Sequence, residues 1–375
     1  MKKVLIIQKA IKHYRLSFYE ELYLLLKKND IELTVAFSEL NVKAIKSKND
    51  NSVLPSEYGF KVPSMTFFKG RVVYQSAISL INESDLVIVE QANKNLINYF
   101  LIFLQLLGIK KFAYWGHGRN LQANHLSYRE KFKNRLLKLS HWWFAYTDLT
   151  KTYLVQCGYP VNKITNVNNS IDTKSLSDDV LSISENDVLA YRNRLGIKRD
   201  AKVGLFCGSL YENKLLDFLY ESSLEIRKHV PDFTLIIIGD GPDRHIIEDM
   251  CSDNEWIKYL GATFAIDKAL AFRCADVVLN PGLVGLGVLD SLASGVPMIT
   301  TEYPYHSPEV SYLEDGVNGL ITPLNKKEYS EEVVKLLKDS ASLDVMASNA
   351  FSSSENYTTD IMASNFSNGI IAALL

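Results

Sequence analysis

The chain has 375 residues, of which 41 are Lys or Arg, 43 are Asp or Glu and 47% are hydrophobic. This length predicts two domains or one large one, and the apolar fraction excludes intrinsically disordered, collagen-like and low-complexity proteins. The four cysteines show no CxxC spacing, which argues against a disulfide framework or a cysteine zinc site and fits a reducing compartment.

Charge is unevenly distributed along the chain. Residues 1–190 carry 25 Lys and Arg against 17 Asp and Glu, whereas residues 191–375 carry 16 against 26. A basic half followed by an acidic half indicates two domains with different partners, although a drift of surface charge along the chain would give the same totals.

The hydrophobic segments are too short for a signal peptide or a membrane span. The N-terminal apolar run covers only residues 4–7, and the longest apolar stretch, 96–109, falls short of the roughly 20 residues that span a bilayer. We therefore expect a cytoplasmic protein, either soluble or peripheral on the inner face of the plasma membrane.

In the first half, short apolar runs alternate with helical patterns. Strands are predicted at residues 4–7, 32–37, 85–89, 111–115 and 143–146, and helices at 15–26, 95–106, 127–139 and 148–156. This alternation, with runs buried on both sides, predicts a parallel sheet covered by helices. Because connections between parallel strands are right-handed, the first half is predicted to have a Rossmann-like topology.

A second alternating series follows a Ser- and Asp-rich stretch. Strands are predicted at residues 203–207, 233–238, 257–260, 276–280 and 298–301, and helices at 213–229, 265–274 and 286–294. The predicted fold class is α/β, with two Rossmann-like parallel-sheet domains facing across a cleft that binds the ligand. The domains are predicted at residues 1–175 and 191–355, joined by a linker at 176–190.

The first half lacks a dinucleotide-binding motif. No GxGxxG follows its first strand, because the loop at residues 8–15 contains no glycine, and the chain has no Walker A motif. A pyrophosphate cannot approach such a backbone closely, which argues against a nicotinamide cofactor in this half.

Three strand-to-helix loops in the second half have the composition of an anion site. They are GSLYENK at residues 208–214, GDGP at 239–242 and NPGLVGLGVLD at 280–290. Backbone N–H groups and the positive end of a helix dipole would meet there, and Asp290 could accept hydrogen bonds from ribose hydroxyls. Each loop alone is common in α/β folds.

In this order, the loops resemble the donor-binding half of the GT-B glycosyltransferases, in particular the retaining family four, also called glycosyltransferase group 1. The similarity continues through GVPMI at 295–299, PE at 308–309 and DGVNG at 315–319. It reaches the first half through residues 14–19, 115–118 and 167–172. It implies that a C-terminal helix at 356–375 crosses back to complete the first domain.

The resemblance also implies site residues. The catalytic residues would be His117, Lys214 and Asp290. The donor nucleotide would contact Gly208, Ser209, Gly239, Asp240, Gly241, Pro242, Gly261, Gly282, Leu283, Val284, Gly285, Leu286, Gly287 and Asp290. Lys214 and the 285–287 turn would meet the charge of the departing diphosphate, and His117 would face the donor sugar. Tyr14 and Arg15 are candidate acceptor contacts.

Two positions depart from the family pattern. Ser209 stands where the family usually has a basic residue, and Gly282 stands where it has the first carboxylate of an E-x7-E pattern. The amides of residues 283–286 would then hold the sugar or phosphate. No DxD pair or metal-spaced cluster is present in the sequence, so we predict neither a metal nor another cofactor.

Each candidate also has a purely structural interpretation. His117 could be a satisfied loop histidine, Lys214 a solvated lysine at a helix start, and Asp290 a carboxylate favoured by the helix dipole. Glu309 could cap a turn.

The predicted function is transfer of a sugar, with retention, from a UDP- or GDP-sugar to a saccharide or lipid-linked saccharide acceptor. The setting would be bacterial surface polysaccharide: O-antigen (lipopolysaccharide), capsule or exopolysaccharide. The basic stretch 127–143 suits an anionic membrane surface, or else a core-packed helix with a solvated basic face. No nucleic-acid partner is predicted. The alternatives are a non-hydrolysing sugar-nucleotide epimerase and a non-catalytic nucleotide-binding protein.

Overall fold

A computed structural model describes residues 1–38, 51–118 and 135–375. The chain divides into two compact units, each built on a parallel sheet with helices. The first unit comprises Met1–Asp172 and Thr359–Leu375, and the second comprises Thr173–Thr358. The prediction of an α/β fold with two Rossmann-like units is confirmed.

The first unit contains eleven described strands and five described helices. Its strands are β1 (Lys2–Gln8), β2 (Ile11–Lys12), β3 (Ile31–Phe37), β4 (Asn51–Ser52), β5 (Gly59–Lys61), β6 (Ser64–Phe67), β7 (Val72–Gln75), β8 (Leu86–Glu90), β9 (Lys111–Gly116), β10 (Trp142–Ala145) and β11 (Ile164–Asn166). Its helices are α1 (Leu16–Lys28), α2 (Ile78–Glu83), α3 (Leu96–Leu106), α4 (Asp148–Gln156) and the closing helix Thr359–Leu374.

Seven of these strands form one sheet in the order β11-β10-β9-β8-β1-β3-β5, and all its pairs are parallel. The chain therefore starts at β1 in the middle, runs outward to β5, and returns to the other side at β8. Residues 4–7 of β1 are buried in succession, which is expected of a strand covered on both faces.

The closing helix packs on α1 and completes the core of the first unit. The ring of Phe366 stacks on Phe144, with the centroids 4.2 Å apart, and meets the ring of Phe18 edge-on at 5.4 Å. Gly369 allows the helix to lie directly on β10 and β11, because a Cβ there would overlap Thr165. The C-terminal residues thus belong to the N-terminal core.

The second unit contains six strands and eight helices. Its strands are β12 (Val203–Cys207), β13 (Thr234–Ile238), β14 (Ile257–Tyr259), β15 (Val277–Leu279), β16 (Met298–Thr301) and β17 (Gly319–Thr322). Its helices are α5 (Thr173–Ser182), α6 (Glu185–Leu195), α7 (Leu216–His229), α8 (Arg244–Ser252), α9 (Ala265–Cys274), α10 (Gly287–Ala293), α11 (Lys326–Lys338) and α12 (Ser340–Ser354), and the closing helix is α13.

The order of the second sheet is β14-β13-β12-β15-β16-β17, again all parallel. This is the doubly wound 3-2-1-4-5-6 order, whose direction reverses between the first and fourth strands. Ligands of such sheets bind outside the carboxyl ends of the strands at that reversal. Here it lies between β12 and β15.

The predicted linker at 176–190 is wrong. Helices α5 and α6 cover these residues and pack against α9, and α5 also packs against α10. Helix α6 begins with a capping box between Ser184 and Asp187 and ends at Gly196 in the left-handed conformation, with φ of 67°. Ser and Asp are typical of loops, but they are also the preferred N-cap residues.

The first eight residues of the basic segment predicted at 127–143 lie outside the described residues, which resume at residue 135. Both of its final tryptophans pack against the core of the first unit. Trp142 and Trp143 begin strand β10, and the fully buried Trp143 donates through Nε1 to the carbonyl O of Leu137 at 3.1 Å. None of the helices in the described part of the chain is long and apolar enough to cross a bilayer.

Candidate functional site

The loops that follow β12 and β15 meet at the carboxyl edge of the second sheet. The amide N–H of Leu283 donates to the carbonyl O of Asn213 at 2.8 Å, and the Lys214 ammonium donates to the carbonyl O of Leu283. Gly282 permits this approach, because a Cβ there would overlap the backbone of Asn213 and Lys214. The missing carboxylate at 282 therefore has a physical reason: the first loop occupies its space.

Lys214 is buried, with only 8% of its surface exposed. It ends a short 3-10 turn, Glu212–Lys214, and its Nζ lies 5.9 Å from the centroid of the Tyr211 ring. The next residue, Leu215, has φ of 53°, a conformation rare for non-glycine residues and often found at functional sites. The interpretation of Lys214 as a solvated surface lysine is wrong.

The GDGP turn packs directly on the loop after β12. Gly208 donates to the carbonyl O of Ile238 at 2.9 Å, and Leu210 donates to that of Asp240 at 3.1 Å. A Cβ at Gly239 or Gly241 would overlap the backbone of this loop. Gly239 and Gly241, both predicted to contact the donor, thus allow the GDGP turn and the loop after β12 to pack together.

Several other predicted contacts of the donor nucleotide lie in or beside the GDGP turn at residues 239–242. Gly261 accepts a hydrogen bond from the amide of Gly239 at 2.8 Å and has φ of 68°. Asp240 is exposed and accepts from the amide of Gly241 at 2.8 Å, and Pro242 is exposed. Ser209 is partly buried beside Gly208.

Side chains from the far end of β16 hold the loop after β15. Thr300 and Thr301 donate through Oγ1 to the carbonyl oxygens of Asn280 and Pro281, at 2.8 and 2.6 Å. His306 accepts at Nδ1 from the amide of Val284 at 2.9 Å, and its Nε2 lies 2.7 Å from the carbonyl O of Thr301. This contact fixes the neutral imidazole with the proton on Nε2.

The environment of His306 favours that neutral form. Burial lowers the pKa of His306 and the nearby Lys214 lowers it further, while the hydrogen bond to Thr301 raises it in part. Sequence reasoning did not identify His306, since its partner Val284 lies 22 positions away and no local motif marks it.

The backbone amides of the loop fall into two groups. Those of Leu283 and Val284 are already bonded within the protein, so the prediction that they hold a sugar or phosphate is wrong. Gly285, Leu286 and Gly287 are partly exposed, and nothing in the described chain accepts from their amides. Three successive donors therefore remain open where α10 begins, close to the loop that holds Lys214.

Asp290 is engaged by a lysine that the sequence did not single out. Lys268 Nζ on α9 lies 2.7 Å from Asp290 Oδ1, and the side chains are 23% and 13% exposed. Burial alone would lower the pKa of Lys268, but the Asp290 carboxylate outweighs it, and the net pKa is raised. Beside this pair, burial raises the pKa of Cys207 to about 12, so its thiol stays protonated.

Three predicted residues lie in the first unit. His117 is exposed directly after β9, and its ring lies 4.3 Å from that of Tyr146. Tyr14 is partly buried in the loop after β1. Arg15 is buried and bonded to Asn169 and Ser170, so its prediction as an acceptor contact is corrected to an internal brace.

Two remaining questions concern the position of Glu309 and the possibility of a metal site. Glu309 is 2% exposed in the short helix Pro308–Tyr312, so it is part of the interior of the second unit. Within the described ranges, no group of three or more His, Cys, Asp or Glu side chains could hold a metal ion. Metal independence stays a prediction.

Residues 201–339, which carry all three loops, match the family model of the glycosyl transferases group 1. This part of the chain is similar to the glycosyl transferases group 1. Alpha-monoglucosyldiacylglycerol synthase of Acholeplasma laidlawii is 27% identical over 188 residues, which are 48% of this chain and 46% of that protein. The chain thus matches slightly less than half the length of this relative.

Solved structures match over nearly the full length of the chain. Anabaena Alr3699/HepE in complex with UDP gives a TM-score of 0.70 at 14% identity, covering 99% of this chain and 100% of that one. The pneumococcal O-GlcNAc transferase GtfA, in complex with UDP and GlcNAc, gives 0.68 at 14% identity, covering 100% and 99%. At such identities the likeness shows the fold, which is that of the GT-B glycosyltransferases.

Proposed function

We propose that the chain is a glycosyltransferase that takes a sugar from a nucleoside-diphosphate sugar. The observation that carries this proposal is the combination of three open amides at 285–287 with the buried Lys214 on the adjoining loop. Cleavage of a sugar–phosphate bond leaves a diphosphate, and oriented amides with a fixed cation stabilise its charge without reorganisation. The site would need no divalent ion.

The setting of Lys214 strengthens this assignment. Its ammonium is held by the carbonyl O of Leu283, so its position is fixed before a ligand arrives. A preorganised cation in a poorly solvated site interacts with an anion more strongly than a mobile surface lysine does.

The two solved structures named above contain UDP, which supports UDP as the first nucleotide to test. We propose a saccharide or lipid-linked saccharide acceptor, transfer with retention, and a role in bacterial surface polysaccharide. A lipid acceptor is supported by the name of the relative from Acholeplasma laidlawii, a diacylglycerol glycolipid synthase. His117 is proposed to contact the donor sugar.

Thermal-shift measurements with UDP, GDP, ADP and dTDP, each in EDTA, test the donor site. A nucleotide at about 100 times its Kd should add about 2.7 kcal/mol of stability. Lys214→Met should remove most of that gain, whereas Lys338→Met, an exposed lysine on α11, should keep it. A full shift in Lys214→Met, or a shift that requires Mg²⁺, would contradict the proposed site.

Turnover is tested separately with UDP- and GDP-sugars. Release of the nucleoside diphosphate with glycosylated product supports a transferase. An altered sugar still attached to its nucleotide would indicate an epimerase, and binding without turnover would indicate a non-catalytic protein. His117→Ala should lose turnover while it keeps nucleotide affinity.

A further inference from the structure

The ribbon formed by β6 and β7 in the first unit has an apolar outer face. The strands pair antiparallel, with Met65 opposite Tyr74 and Phe67 opposite Val72. Since side chains alternate between the faces of a strand, these four share one face. Met65 is 53% and Phe67 44% exposed.

The opposite face fastens the ribbon to the body of the unit. Val73 and Gln75 are 2% exposed, and the amide of Val73 donates to the carbonyl O of Lys94 at 2.7 Å. Gln75 donates through Nε2 to the carbonyl O of Gln8 at 2.8 Å and to Ser38 Oγ at 3.0 Å. The ribbon therefore cannot turn over to bury its apolar face without breaking these bonds.

The tip of the ribbon exposes one more aromatic side chain. Phe68 is 78% exposed, and Phe68, Lys69 and Gly70 have φ of 51°, 56° and 84°. Two successive non-glycine residues in the left-handed region are uncommon, and a tight turn normally uses Asn or Gly there. The turn thus presents a large hydrophobic and a basic side chain at a place where neither is the easiest choice for the backbone.

The charge of the ribbon is entirely positive. Lys61, Lys69 and Arg71 lie on or beside it, and no Asp or Glu occurs between residues 58 and 82. Neither Lys69 nor Arg71 forms an ion pair with a carboxylate of the described chain.

We infer that this ribbon docks on the surface of an anionic lipid bilayer. Phe67, Phe68 and Met65 would enter the boundary between headgroups and acyl chains, and Lys69 and Arg71 would meet the anionic headgroups. A second copy of the chain fits this face less well, because a twofold contact would bring the same positive charges together. The inference goes beyond the proposed function, since membrane docking does not depend on sugar transfer.

Co-flotation of the full chain with vesicles tests this surface. The vesicles are of phosphatidylcholine alone, or of phosphatidylcholine mixed with phosphatidylglycerol. The wild type should float with the mixed vesicles at low salt, and much less with the neutral ones. Phe67→Ser with Phe68→Ser should weaken binding by at least about ten-fold, since each phenylalanine loses apolar burial.

The charge variant Lys69→Gln with Arg71→Gln should weaken binding about thirty-fold, since each basic side chain near an anionic surface contributes about five-fold. It should also flatten the salt dependence. The matched control is Leu181→Ser, which removes a 69% exposed leucine from α5 in the second unit and should float like the wild type.

Two flotation results would overturn the inference: no flotation of the wild type at low salt, or unchanged flotation of the phenylalanine variant. A third contrary result would come from sedimentation without lipid, if the wild type formed a dimer there and the phenylalanine variant did not. Circular dichroism and UDP binding of each variant, measured without vesicles, show whether it is folded. They also keep failure of the donor site distinct from failure of membrane docking.

Discussion

Lys268 Nζ and Asp290 Oδ1 lie 2.7 Å apart at the carboxyl edge of the second sheet, where α9 and α10 bring them together. Both side chains are mostly withdrawn from water. Such a pair costs desolvation to assemble, and removing one partner leaves the other charge uncompensated. Lys268 thus fixes the carboxylate that the sequence assigned to the ribose.

Lys268→Met is expected to destabilise the protein by about 2 kcal/mol, below the 3–5 typical of fully buried pairs because the side chains are partly exposed. It should also weaken UDP binding, because Asp290 loses the contact that orients it. Lys268→Met with Asp290→Asn should cost less than the sum of the single variants. Urea denaturation and calorimetry with UDP measure both effects.

The matched control for this pair lies at the opposite end of the same sheet. Lys202 Nζ is 3.0 Å from Asp276 Oδ1, and the side chains are 32% and 18% exposed. Lys202→Met should destabilise the protein without changing its affinity for UDP. Equal loss of affinity in both variants would mean that general destabilisation, not orientation of Asp290, explains the effect.

Gly282 and Gly285, three residues apart in one loop, should respond oppositely to alanine. A Cβ at 282 would overlap the backbone of Asn213 and Lys214, whereas a Cβ at 285 would find its nearest neighbour, Ser307 Oγ, at 3.6 Å. Gly282→Ala must separate the two loops and should cost several kcal/mol and most of the UDP affinity. Gly285→Ala should leave melting temperature and UDP affinity nearly unchanged; a stable, UDP-binding Gly282→Ala would refute this packing.

His306 makes the donor loop sensitive to acid. Its Nδ1 accepts from Val284, so protonation there breaks the bond. Because the pKa is lowered on folding, the unfolded chain binds more protons between the folded pKa and the unfolded value of about 6.5. The stability from this group is complete above about pH 6.5 and is lost as the pH falls through the folded pKa.

His306→Asn removes the titration and can keep an acceptor for Val284, so it should flatten the decline of UDP affinity below about pH 6.5. The control is His141→Asn in the first unit, where burial also lowers the pKa of the histidine. That variant should retain the decline. An identical pH profile for wild type and His306→Asn would assign the acid sensitivity to other groups.

Most of the fold could be predicted because the strand runs are buried on both faces and their periodicity differs from that of the helices. Residues 203–207, 148–156 and 265–274 have the predicted bounds. The ribbon at 64–75 was not predicted, because FFKGR has no Asn-Gly turn signal. Helices α5 and α6 were missed because their caps look like loop residues.

The site could be predicted only as far as local motifs extend. The glycine loops are readable because close backbone contacts demand glycine in a short stretch. His306 and Lys268 each contact a residue 22 positions away in the sequence. The tertiary fold brings these partners together, so no local motif reveals the pairing. The same holds for Arg15, whose partners lie more than 150 positions away.

Arg15 joins the loop after β1 to the end of the first sheet and to the closing helix. Its guanidinium donates to Asn169 Oδ1 at 2.5 Å, to the carbonyl O of Ser170 at 3.1 Å and to Met362 Sδ at 3.3 Å. Arg15→Met leaves these acceptors buried without their donor and should destabilise the first unit by about 3 kcal/mol. Arg15→Lys should recover only part of this, because an ammonium cannot reproduce the planar fork.

The neighbouring Tyr14 serves as the control, since it is partly exposed and packs beside the Arg15 guanidinium at 5.2 Å. Tyr14→Phe should keep the melting temperature, and any effect it has should be confined to KM for the acceptor. Arg15→Met should instead lower the melting temperature and leave KM for the acceptor unchanged in the folded fraction. A change in that KM without a loss of stability would restore Arg15 as an acceptor contact, because a brace acts only through the fold it holds together.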